Sequence, residues 1–256
     1  MELINLEQLP NEVQKLVKPY AHNLIKVLGD NVCSIIVFGS AVGKDFIPNK
    51  SNVNLLVVLK EVKLLFLKNC HKLVSQGRKK GIVAPLFLTR THIETSVDVF
   101  PIEYLEMKDF HIVIYGEPIL SSIEIGGENL RLECEEQLKG KLIRLRQVYL
   151  EVGTNRKAIE SVLIESLTSL IPAFRGMLRL VGKEILLDKN EVISAIAKEF
   201  KVDSSCFLYV LNIKSGKARL NKKDLDNFFE KYITEIEKLC IAMDRIEVAV
   251  PQGSRA

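Results

Sequence analysis

The chain contains no tryptophan, and aromatic residues make up only 7% of its 256 residues. A surface that stacks nucleic-acid bases has little to draw on, so a nucleic-acid partner is not supported. The five cysteines, Cys33, Cys70, Cys134, Cys206 and Cys240, are odd in number and far apart. They form no CxxC pair, which argues against a zinc knuckle. Free thiols in a reducing compartment are the expected state, and a cytoplasmic location follows from it. No apolar run reaches the ~18 residues of a membrane span. The N-terminal MELINLEQLPNEVQ lacks the basic-then-apolar order of a signal peptide, so no membrane partner is expected. His22, His71, His92 and His111 are scattered and have no metal-ligand spacing, and no Ser-His-Asp order can be argued from them.

What remains is an ordinary core-forming composition. Hydrophobic residues account for 47% and charged residues for 27%, with a net charge of +4. Such a chain folds, and its slight positive charge fits a polyanionic partner without requiring one. Leu6 to Leu28 carries apolar residues at helical spacing and stops at Gly29. The β-branched run CSIIVFGSA then breaks at Gly39-Ser40, and a second apolar run follows from Val53 to Leu59. Between them AVGKDFIPNKSN holds a short turn of helix and then loop signals at Pro48 and Asn49.

Val62 to Lys80 reads as a helix closed by Arg78-Lys79-Lys80, whose charges complement the helix dipole. APLFLT is a third strand candidate. Thr91 is placed to cap a short helix through Val99. Pro101 is expected to stop it, Ile102 to Met107 to form a fourth strand, and HIVIYGEPIL to be a further extended piece ending at Gly116. The expected class is mixed α/β over residues 1–124.

From residue 125 to 250 no strand is expected. Leu130–Val152 and Arg156–Val181 read as long helices, the second kinked at Pro172. Asp188 with Glu191 looks like a capping box for a third helix to Phe200. A short helix near Ser204–Ile213 and a last one begun by Asn221 complete an all-α bundle. Lys139, Lys141, Arg144 and Arg146 fall on its first helix, with Glu135, Glu136 and Glu151 nearby, and read as a solvated face. The tail PQGSRA is expected to fray.

Gly39-Ser40 after a strand is by itself a common turn. Its surroundings add meaning: VFGSAVGKDFIPNKSNVNLLVVL resembles the signature of the polymerase β-like nucleotidyltransferase superfamily. That signature is a hydrophobic strand, Gly-Ser, a spacer of about a dozen residues, and Ser-Asp-x-Asp opening a second hydrophobic strand. The resemblance covers roughly the first 120 residues. The stretch DVFPIEYLEMKDFHIVIYGEPIL with LRLECEEQLKGKLIRLRQVYLE is similar to uncharacterised prokaryotic members with a helical C-terminal domain. The resemblance implies a nucleotidyltransferase-like domain in which Gly39 and Ser40 hold the phosphates of a nucleoside triphosphate. In active members two carboxylates at i and i+2, with a third acid on a neighbouring strand, hold Mg2+.

Here the block reads Ser51-Asn52-Val53-Asn54. The spacing is kept and both charges are gone. Glu103, on the expected fourth strand, is the remaining metal candidate, and Asp98 is expected at a helix end facing water. The reading that follows is a degenerate member, vestigial at Asn52, Asn54 and Glu103, that binds a nucleotide or a protein partner without efficient transfer. No cofactor is expected, with Mg2+ only if activity survives. Two alternatives stand: an active enzyme moving a nucleoside monophosphate to a small molecule, protein or RNA, and an antitoxin-like interaction module.

Overall fold

The computed structural model describes residues 2–43, 46 and 51–247. The loop signals at Pro48 and Asn49 and the tail expected to fray lie outside the described residues. The chain divides into two compact units, residues 1–125 and 126–256.

In the first unit a 3-10 turn at Leu6–Gln8 precedes helix α1 (Asn11–Leu28). Pro10, at the N-cap, separates the two, so the single helix expected from Leu6 starts later. Strand β1 (Val32–Phe38) follows, then a 3-10 turn at Gly39–Ala41 and strand β2 (Asn54–Leu59). Helix α2 (Leu64–Arg78) leads to strand β3 (Leu86–Thr89) and the short helix α3 (Arg90–Glu94). The cap of α3 is the Thr89 side chain, which accepts the His92 amide at 3.1 Å, two residues earlier than expected at Thr91.

Ile102–Met107 is not a strand. It lies in helix α4 (Pro101–Asp109), and the strand that completes the sheet is β4 (His111–Gly116). Proline at the first helical position explains the difference: its missing amide costs nothing there, and its fixed φ suits a helix start.

The sheet order is β3-β2-β1-β4. β1 runs antiparallel to both β2 and β4, while β2 and β3 are parallel. Alternate side chains point to opposite faces, and both faces are covered. Ile35, Val37, Leu55 and Val57 pack with α1 and with Cys70 of α2. Ile36, Leu56 and Val58 pack with Ile93, Val97, Tyr104 and Met107. Apolar residues are therefore needed without interruption through Ile35–Val37 and Leu55–Val58, which is why the middles of β1 and β2 read as hydrophobic runs. The outer side of β4 receives the Ile4 amide, which donates to Ile114 O at 2.9 Å, and Asn5 Nδ2, which donates to Val113 O at 3.0 Å.

The second unit holds helices α5 (Gly127–Val152), α6 (Arg156–Leu180), α7 (Lys189–Phe200), α8 (Ser205–Lys214) and α9 (Leu225–Asp244). Helix α6 packs against α5, α7 and α8. It runs through Pro172 as one element. By length and composition it is apolar enough to cross a bilayer, yet 56% of its apolar stretch is buried, as in the core helix of a folded domain. Phe174, Phe207 and Tyr232 meet edge to face at centroid distances of 5.7 and 5.3 Å. The Asp188 carboxylate accepts the Asn190 and Glu191 amides, the cap expected from the sequence.

Candidate functional site

The site begins where β1 ends. Phe38 pairs with Asn54 of β2 on one side and with His111 of β4 on the other. Cross-strand partners share a face, so Asn54, Phe38 and His111 form one row on the side that carries Ile36 and Leu56. With strands ~4.8 Å apart, the outer members of the row are about 10 Å apart along the sheet.

Just beyond Phe38 the chain turns through Gly39, whose φ is +74°. A Cβ built there would lie 3.4 Å from Asn54 Nδ2, so Gly39 and Asn54 are neighbours. The Gly39 amide donates to Phe110 O at 2.9 Å. This bond ties the turn to the start of β4. It also removes one donor from the set that the strand–turn pattern suggested for an anion. Ser40 is exposed at the tip.

Asn52 is exposed and Asn54 half-buried, with Val53 buried between them. The Val53 amide donates to Gly81 O at 2.9 Å, and Val53 O accepts the Val83 amide at 3.0 Å. These bonds extend the parallel ladder back past β2. Strand alternation then puts Asn52 and Asn54 on one side, as their spacing implied.

Glu103 does not join them. It sits in the first turn of α4, exposed, not on a strand beside the motif. Asp98 is exposed in the turn before α4. Among the described residues, none of the four strands carries an aspartate or a glutamate. The segment that runs parallel to Asn52–Leu59 is Ile82–Thr89, which reads IVAPLFLT. Among the described residues no group of three or more His, Cys, Asp or Glu is placed to hold a metal ion. A magnesium ion requires anionic oxygens in near-octahedral array, and two neutral carboxamides do not fit that demand.

His111 escaped the sequence reading, because nothing in the spacing of four scattered histidines marks it. Only strand register brings it opposite Phe38. Its Nδ1 donates to Lys108 O at 2.9 Å, a bond that places the ring proton on Nδ1.

Lys139, Arg144 and Arg146 of α5 are engaged with acidic side chains. Lys139 bonds Glu135 at 2.5 Å and Asp244 at 2.9 Å, Arg146 pairs with Glu237, and Arg144 lies 3.5 Å from Glu151.

No protein-family model matches the chain, and no curated protein matches it in sequence. Among solved structures it is similar to spectinomycin adenyltransferase AAD(9) from Enterococcus faecialis, determined with ATP and spectinomycin. The TM-score is 0.53 and the identity 13%, over 87% of this chain and 98% of that one. The fold is nucleotidyltransferase-like. At 13% identity the likeness speaks to the fold and carries no site residue across.

Proposed function

We propose that this protein is a degenerate member of the nucleotidyltransferase-like fold that binds a nucleoside triphosphate beside Gly39-Ser40 without efficient transfer. The observation that supports this is a Gly-Ser turn set beside Asn54 in a sheet whose described strands carry no carboxylate. The Ser40 amide and hydroxyl are the donors on offer to a phosphate oxygen, since the Gly39 amide is already bonded. Asn52 and Asn54 present carboxamides, which donate to phosphate oxygens through Nδ2 without the repulsion two carboxylates would exert on a bare polyanion. That a fold neighbour was determined with ATP supports a triphosphate as the ligand class. Transfer needs charge neutralised at the reacting phosphoryl group. Loss of even one such stabilising group costs ~10²–10³ in rate.

A thermal-shift screen of nucleoside triphosphates with and without magnesium tests this. The expected result is stabilisation by a triphosphate in the absence of magnesium, with no pyrophosphate released on incubation. At ~100 times the dissociation constant the gain is ~2.7 kcal/mol. Turnover with magnesium would move the protein to the active-enzyme class. No response to any nucleotide would leave the interaction module as the better reading.

A further inference from the structure

Residues 62–93 contain no aspartate or glutamate but seven lysines and arginines. The chain as a whole is nearly balanced, at 36 basic against 32 acidic residues, so this is a strong local asymmetry. Most of the segment is helix α2 and the strand after it.

Helix α2 buries a narrow stripe: Cys70 and Gly77 fully, Phe66, Leu73 and Val74 in part. At 100° per residue, the opposite side carries Leu64, Leu65, Lys68, Lys72 and, one step past the helix end, Lys79. Leu64 is 67% exposed and Leu65 64%. Val62 and Leu67, beside them, are also exposed. Among the described residues Lys68, Lys72 and Lys79 form no ion pair, whereas Lys63 is held by Glu61 at 2.7 Å.

We infer that the outer face of α2 docks the protein peripherally on an anionic lipid surface, with Leu64 and Leu65 entering the headgroup layer and Lys68, Lys72 and Lys79 facing lipid phosphates and carboxylates. Charge complementarity selects this occupant. A second copy of the chain would set three lysines against three, and like charges oppose that contact. Nucleic acid would match the lysines but gives exposed leucines nothing to do, and the stripe holds no aromatic side chain to stack on a base. A bilayer surface uses both kinds of side chain at once. The lack of a spanning apolar run in the sequence bears on crossing a membrane, not on resting against one. The face is also separate from the nucleotide site. α2 follows the far end of β2, about 17 Å along the strand from Asn54.

The test is co-sedimentation of the full chain with phosphatidylcholine vesicles, with and without phosphatidylserine, beside a fluorescence titration with a short single-stranded RNA. Partition to the phosphatidylserine vesicles alone is expected, weakened as salt shortens the ~8 Å screening length at physiological ionic strength. K68E/K72E/K79E should lower the partition by on the order of 100-fold and L64S/L65S by about tenfold. Both sets lie on exposed positions: circular dichroism melts should match wild type for L64S/L65S and fall by no more than a few degrees for the lysine variant, whose Lys79 sits at the C-terminus of α2. No preference for phosphatidylserine, or partition that survives either variant, overturns the inference. RNA binding lost in the lysine variant without vesicle partition overturns it too and assigns the face to nucleic acid.

Discussion

At Gly39 it is the backbone, not space, that restricts the residue. Its φ of +74° strains an L side chain by ~1–2 kcal/mol, while an added Cβ would lie in ordinary contact, 3.4 Å, with Asn54 Nδ2. Gly39→Ala is therefore expected to lower the melting temperature by several degrees and to weaken nucleotide binding, because relief of the strain would move Ser40. Calorimetric melts and a nucleotide titration check this; unchanged values in both would mean that the turn does not depend on that φ. A second residue pair gives a pH signature. Lys231, bonded to Asp203 at 2.7 Å, holds that carboxyl at about 2, below its ordinary value of 3.8. An acid with a depressed folded pKa contributes stability above its unfolded pKa, and that contribution is lost as pH falls toward the folded one. Wild type should lose stability between about pH 4 and 2, and Lys231→Met should flatten that part of the curve. Both side chains are about half exposed, so the effect is modest. Urea unfolding across that range measures it, and an equal slope in the two proteins would remove Asp203 from the account.

At the level of elements, what the sequence disclosed depended on how local the determining physics is. β1 and β2 were legible because both of their faces are buried, so Ile35–Val37 and Leu55–Val58 need apolar residues without interruption. Helix α7 was legible because Asp188 caps it through its own side chain. The failure at Ile102–Met107 is also physical. The apolar positions Ile102, Tyr104, Leu105 and Met107 fit alternation nearly as well as a helical stripe, and only packing under β1 and β2 decides. Pro101 suits the stop of one element and the first position of the next, and the structure uses it for the second. Glu103 is therefore exposed in the first turn of α4 and not on a strand where it could serve as a metal candidate. Of the candidate site, Gly39, Ser40, Asn52 and Asn54 stand out through the resemblance of their stretch to a family signature, which is a local feature of the chain. His111 does not, since strand order and register are long-range properties that the local sequence does not carry.

For the molecule as a whole, the proposed function separates the fold from metal binding. The apolar packing on both faces of the sheet includes neither Asn52 nor Asn54, and the place of Asn54 in β2 is set by backbone pairing with Phe38, so the frame does not depend on a carboxylate at either position. The most direct test is a magnesium titration by calorimetry, with a nucleoside triphosphate present and absent, on wild type and on N52D/N54D. Two carboxylates restored at i and i+2 on one side repel each other in the free variant, and a cation relieves that repulsion. The account predicts no saturable magnesium site in the free wild type, and in the variant a metal site that raises its melting temperature and makes nucleotide binding magnesium-dependent. A saturable micromolar magnesium site in the free wild type would contradict it.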